Sequence, residues 1–192
     1  LNEALDLWDD LTKRQGYAPD QIILGGDSAG ANLALALLLK LRDLNKTMPR
    51  AAFCISAWTD LTCNTQSFRD NYGRDVMFGN KGKTLTEDRL QALMQGKIFS
   101  FLGNAARTDP YVSPIFGDYH GFAPMFFSVG THEMLYDETL QVVEKLKACQ
   151  VPVTCEIQPG MFHIYVVFAR LVPEGKISYH RLLDFIRANF VD

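Results

Sequence analysis

Gln21-Ile22-Ile23-Leu24-Gly25-Gly26-Asp27-Ser28-Ala29-Gly30-Ala31-Asn32-Leu33 decides how the rest of this chain is read. It runs from a short apolar strand through a glycine-flanked serine into a strongly helical segment. Within it, Gly26-Asp27-Ser28-Ala29-Gly30 matches G-x-S-x-G, a pattern that carries chemistry when a strand precedes it and a helix follows. A serine on so sharp a turn takes a strained backbone conformation, and its neighbours must be small for strand and helix to approach. The turn lifts the hydroxyl clear of a sheet, and the first free N–H groups of the helix face it. Any glycine-rich turn can match the pattern by chance; the flanking strand and helix are what raise Ser28 to a candidate nucleophile.

Strands and helices alternate outward from this turn. Leu1, Ala4, Leu5, Trp8 and Leu11 repeat at helical spacing, predicting an amphipathic helix to about Gln15 that stops near Gly16. That helix opens on the first residue without an N-cap or initiator methionine, so a natural upstream segment is expected. Residues 29–44 are apolar on nearly every face, as in a buried central helix. Residues 51–58 form a continuous apolar strand, the pattern of a parallel sheet covered on both faces. A third strand over 124–130, a helix over 137–148 and a fourth strand over 151–157 follow. The last helix starts at Pro173-Glu174 and carries Ile177, Leu182, Leu183, Ile186 and Phe190 as its buried stripe.

Residues from about 66 to 107 differ in composition. Arg69, Asp70, Arg74, Asp75, Lys81 and Lys83 crowd a glycine-containing loop. A helix follows, opened by a capping box Thr84-Leu85-Thr86-Glu87 and carrying Leu90, Leu93, Met94, Ile98 and Phe101. The pattern as a whole predicts one partial domain over residues 1–192, an α/β fold with a mainly parallel sheet flanked by helices. The segment at about 66–107 is read as a helical and loop insertion over the top of that sheet.

Composition narrows the function classes. The 47% apolar and 21% charged content suits a globular domain, and the formal net charge of -3 gives no basic field for nucleic acid. The longest apolar run, residues 31–39, is far short of the ~20 residues of a membrane span. The opening Leu1-Asn2-Glu3 lacks the basic region of a secretory leader. Cys54, Cys63, Cys149 and Cys155 form no C-x-x-C pair, so free thiols and a reducing cytoplasm are expected.

A serine hydroxyl needs a base to take its proton, and that base needs an acid to fix its tautomer. His163, in Gln158-Pro159-Gly160-Met161-Phe162-His163, follows the fourth strand at its carboxyl end, where catalytic groups gather in open α/β sheets. His180 lies on the terminal amphipathic helix and His120 in a surface loop, so His163 is taken as the base. Glu133 and Asp137 both follow the third strand; Asp137 is read as the N-cap of the next helix and Glu133 as the acid. His132 beside Glu133 suggests a metal cluster with His163, but adjacent residues point apart and no H-x-x-x-H spacing exists, so neither metal nor organic cofactor is expected.

With these residues in place the chain resembles the hormone-sensitive-lipase-like branch of the α/β-hydrolases, the bacterial carboxylesterase and acetyl esterase type. The resemblance is carried by Gly26-Asp27-Ser28-Ala29-Gly30, Ser56-Ala57-Trp58-Thr59-Asp60-Leu61, Asp109-Pro110-Tyr111-Val112-Ser113-Pro114, Glu133-Met134-Leu135-Tyr136-Asp137-Glu138 and Pro159-Gly160-Met161-Phe162-His163. It implies a triad of Ser28, Glu133 and His163, a small-molecule ester substrate, and a pocket shaped by the segment after Asp60. Most members carry aspartate where this chain has Glu133, and Gly-Phe where it has Ile164-Tyr165.

The family's His-Gly-Gly-Gly loop, a source of oxyanion-hole N–H groups, belongs upstream of the elbow together with the first strands of the sheet. Within this chain the Ala29 N–H is the oxyanion donor that remains. The elbow strand should then be a bare edge, to be completed by an upstream segment, a partner chain or a swapped dimer. A serine esterase is therefore expected, with a non-catalytic binding module or inactive fragment as the alternative.

Overall fold

The computed structural model describes residues 1–190 and, within them, every side chain except that of Phe101. Val191 and Asp192, the last residues of the expected domain, lie outside it, as does the Phe101 side chain assigned to the insertion's apolar stripe. Strands β1 (Ile23–Asp27), β2 (Ala51–Ile55), β3 (Met125–Gly130) and β4 (Val153–Gln158) form one parallel sheet in the order β1-β2-β3-β4. Because every pairing is parallel, all the strands end at the same edge, and the turns leaving β1, β3 and β4 deliver Ser28, Glu133 and His163 there.

The period-two alternation of β2 divides the core. Ala52 and Cys54 pack with Met125 and Phe127 of β3 beneath α2 (Ala29–Asp43) and α5 (Tyr136–Ala148). Phe53, Ile55 and Phe126 face the other way, against Leu182, Phe185 and Ile186 of α6 (Pro173–Asn189). Helix α1 (Asn2–Asp9) lays Trp8 on Leu37 and Leu41 of α2 and continues as a wider π-helical turn over Asp10–Arg14. Gly16, at φ 79°, ends it in the left-handed conformation that glycine adopts freely.

Several element ends differ from the sequence reading, each for a local reason. Pro19–Gln21 is a 3₁₀ turn in which the Gln21 amide oxygen accepts the Ala18 N–H, so the elbow strand starts at Ile23. The second strand stops at Ile55 because Ser56 turns to φ 48°; the apolar run through Trp58 continues as loop. Pro152 cannot donate to a ladder, and β4 begins after it. In the 66–107 segment, α3 (Gln66–Asp70) precedes α4 (Glu87–Met94), whose N-cap is Thr86, its hydroxyl accepting the Arg89 N–H; Thr84 is not the cap. The expected single helix breaks at Gly96, and Lys97–Leu102 is 3₁₀. Trp58, Phe68, Leu85, Leu90, Phe99 and Met134 gather there into a separate apolar cluster that joins this segment to the loops leaving β2 and β3.

Candidate active site

Strand β1 ends in a turn whose crowding dictates its residues. A Cβ on Gly26 would sit 2.4 Å from the Gly30 carbonyl carbon, inside the first turn of α2, so only glycine allows strand and helix to meet there. Ser28 takes φ 51° and ψ −118°, an uncommon backbone conformation for a side-chain-bearing residue. It is held from both sides: its N–H donates to Ile55 O at 2.9 Å, and its carbonyl accepts the N–H groups of Asn32 and Trp58. Ala29 is the first residue of α2, and N–H groups of a first helical turn have no acceptor within the helix.

The sequence-derived partners converge on this serine. Ser28 Oγ lies 2.9 Å from His163 Nε2, and His163 Nδ1 lies 3.3 Å from Glu133 Oε2. Glu133 is fully buried and His163 nearly so, while Ser28 is only partly covered and can be reached from solvent. The other Glu133 oxygen accepts the Gly130 N–H at 2.6 Å and the Ser56 hydroxyl at 2.9 Å. Burial pushes the Glu133 carboxyl above its ordinary value, and the hydrogen bonds from His163, Gly130 and Ser56 pull against that rise. An acceptor at Nδ1 favours the imidazole tautomer with its proton on Nδ1, leaving Nε2 free to take one from the serine.

Ser56 is a site residue that sequence reasoning did not single out. It donates to Glu133 and accepts the Ile164 N–H at 2.9 Å, tying Glu133 to the residue after His163. Ile164 stands at φ 55°, a left-handed position costly for a β-branched side chain and suited to the glycine common in the resembling family. Asp75 was missed for a different reason: among so many charges it reads as a solvated loop residue. It is fully buried, and its carboxylate accepts the N–H groups of His163 and Met134.

The other candidates fall elsewhere. Asp137 is structural, but it does not cap its own helix, whose N-cap is Leu135; its carboxylate accepts the Ser67 N–H at 2.7 Å in the first turn of α3. His180 is exposed on α6, and His132 donates its backbone N–H to Met161 O. His120 is exposed in its loop, as expected, with Nδ1 2.6 Å from Asp118 and 3.6 Å from Cys149 Sγ. These three bring possible metal-ligand atoms together, although the Arg42 guanidinium beside Asp118 opposes a cation there. Beside Ala29 opens a cavity of about 370 Å³, walled by Asn32, Leu33, Trp58, Leu61 and Val112 among others.

A family model described as alpha/beta hydrolase fold matches residues 1–167. The chain belongs to the α/β-hydrolase family. An acetyl-hydrolase of Streptomyces hygroscopicus is 33% identical over 173 residues, 90% of this chain and 54% of its own length. Among solved structures, an esterase from the bacterial hormone-sensitive lipase family superposes with a TM-score of 0.80 at 30% identity, covering 94% of this chain and 57% of its own. EstE5 superposes at 0.79 with 34% identity, over 93% of this α/β-hydrolase and 56% of EstE5. The likeness is to hormone-sensitive-lipase-like esterases, and the chain spans about half the length of the curated relatives it matches. Among the described residues of this α/β-hydrolase, no helix is long and apolar enough to cross a membrane.

Proposed function

We propose that this α/β-hydrolase chain carries the triad of a serine carboxylesterase acting on short-chain esters. The observation that carries the proposal is the unbroken line from Ser28 Oγ through His163 to the buried Glu133 carboxylate. In the first half-reaction Ser28 Oγ attacks the acyl carbonyl carbon while His163 Nε2 takes the hydroxyl proton. The tetrahedral oxyanion is met by the Ala29 N–H, aided by the positive end of α2. His163 then returns the proton to the departing alcohol, leaving the acyl group on Ser28. Water, activated by the same imidazole, reverses these steps and releases the acid. Glu133 accepts from Nδ1–H throughout and stabilises the imidazolium without itself taking the proton.

The cavity beside Ala29 is of a size for a small acyl or alcohol group, and EstE5 is a protein whose crystals were soaked with p-nitrophenyl butyrate. Losing one oxyanion donor costs about 10²–10³ in kcat, so Ala29 alone should support slow turnover. An upstream segment or a partner chain is proposed to supply the remaining donors and to pair with β1. We take residues 1–192 as one partial domain with the segment at about 66–107 inserted over the sheet edge. The free thiols of Cys54, Cys63, Cys149 and Cys155 suit a reducing cytoplasm.

The test is hydrolysis of p-nitrophenyl acetate and butyrate by the natural polypeptide containing this chain and by its Ser28→Ala variant. Ser28→Ala should lose at least about 10³ in kcat while keeping the wild-type fold. Equal rates in both proteins would defeat the esterase reading in favour of a non-catalytic binding module.

A further inference from the structure

The residues that join the two loops behind the triad come from a part of the chain the mechanism does not use. Segment 71–79 lies against both. The Asn71 side-chain amide donates to Thr131 O at 3.1 Å and to Glu133 O at 2.8 Å, holding the backbone of the acid turn. Asp75 reaches further. Its Oδ2 accepts the Met134 N–H at 3.1 Å, directly after the acid, and its Oδ1 accepts the His163 N–H at 3.3 Å, on the base itself. The same Oδ1 accepts the N–H groups of Met77 and Phe78, each at 3.2 Å. Those bonds hold the Phe78 ring, whose centroid lies 5.1 Å from that of the imidazole at an interplanar angle of 36°.

We propose that Asp75 is a positioning residue for the triad: one buried carboxylate that fixes the separation of Glu133 from His163 and seats Phe78 on the imidazole. The inference rests on the triad reading above. Asp75 touches neither substrate nor the reacting atoms; it acts through the backbones of both partners. Among the described residues Asp75 makes no ion pair, so N–H donors are what hold its buried carboxylate. A carboxylate is the side chain that accepts only, at two oxygens with several lone pairs, and its hydrogen-bond partners among the described residues are all N–H donors. Glutamine-like amides would turn a donor toward one of them, leaving a buried N–H unpaired. Among the described residues Glu133 meets the His163 ring and Asp75 its backbone N–H, with the Tyr165 hydroxyl within electrostatic reach of Glu133, so loosening Asp75 changes how well the imidazolium is held during turnover.

The experiment compares wild type, Asp75→Asn and Asp75→Glu in the natural polypeptide, with active sites counted by titration with a serine-directed organophosphate. Per titrated site, Asp75→Asn should lower kcat about 10–100-fold with KM within twofold, as for an interaction realised mainly in the transition state. The acid limb of the kcat/KM profile against pH should move as well, because the Glu133–His163 pair is no longer held at its native spacing. Wild-type kcat per titrated site, with loss only in the number of active sites or in stability, overturns the proposal. Where Asp75→Asn does not fold, Asp75→Glu keeps charge and both oxygens but displaces them by one methylene, and is judged by the same two readouts. Ser28→Ala run alongside separates the failures. Wild-type hydrolysis by Ser28→Ala sinks the triad reading itself; its loss together with an unchanged Asp75 pair sinks only this inference.

Discussion

Glu138 shows how far a single side chain can depart from its apparent role. In the sequence it is one of the acids near the start of a helix, where a carboxylate favours the dipole. In the structure it is fully buried, with Oε1 accepting the N–H groups of Thr59 and Asp60 and Oε2 without a partner among the described residues. Burial, with Asp60 adding to it, pushes this carboxyl well above its ordinary value. A raised folded-state value means that the protonated acid favours the fold: its contribution is fully present below the ordinary carboxylate range and is lost as pH rises through the raised one. Glu138→Gln keeps an acceptor for Thr59 and Asp60 and removes the ionisation. Urea melts of wild type and Glu138→Gln between pH 4.5 and 8 should therefore diverge, with the variant gaining relative to wild type as pH rises. Parallel curves across that range would show that Glu138 does not ionise against a cost. The residue scale also holds the clearest gain over sequence reading. That Ser28, Glu133 and His163 meet was legible from motif and chain order, whereas the contacts of Ser56 and Asp75 were not, because a hydroxyl in an apolar run and an acid in a charged loop carry no motif.

At the scale of elements, the strand–turn–helix at Ser28 depends on a gap too small for any side chain. Gly26 faces backbone atoms of Gly30 and Ala31, which cannot swing away as a flexible side chain could. Gly26→Ala should destabilise by about 1–3 kcal/mol, the range for overpacking a dense site, and displace Ser28 in doing so. Chemical denaturation gives the first quantity and the organophosphate titre the second; a stable, fully titratable Gly26→Ala protein would remove the packing argument. Gly130 has the matching role between the other two loops, its missing Cβ leaving room for Met161 O 2.2 Å from where it would stand. The helix and strand interiors were readable because periodicity repeats over many residues. Their ends were not, since each was settled by one local event: a left-handed Ser56, a proline before β4, a glycine within the expected insertion helix.

Across the whole molecule, the feature that matters most is the position of β1. It pairs with β2 on one side and is the first strand of the sheet, and Ile23, Leu24 and Gly26 are only partly covered. An apolar strand of that kind offers unpaired N–H and C=O groups to another chain. The proposal of an upstream segment or partner at this edge leads to a measurable difference. Backbone amides of β1 should exchange with solvent faster in the isolated 192-residue chain at low concentration than in the natural polypeptide or at concentrations where the chain self-associates. Equally slow exchange in a monomeric isolated chain would mean that the edge needs no neighbour.

What this sequence determined by itself was the alternation of buried strands and amphipathic helices, the turn at Ser28 and the order of Glu133 and His163, the proposed acid and base, behind it. These signals are local, or depend only on order along the chain, so one dimension is enough to read them. Only the tertiary structure decided which polar residues stand behind the proposed triad. Ser56, Asn71 and Asp75 reach Glu133 and His163 across wide sequence separations, 88 residues between Asp75 and His163. Their meaning comes from burial: the same carboxylate that would be a solvated charge on a loop becomes, once water is excluded, an acceptor that must find several N–H donors and so holds them together.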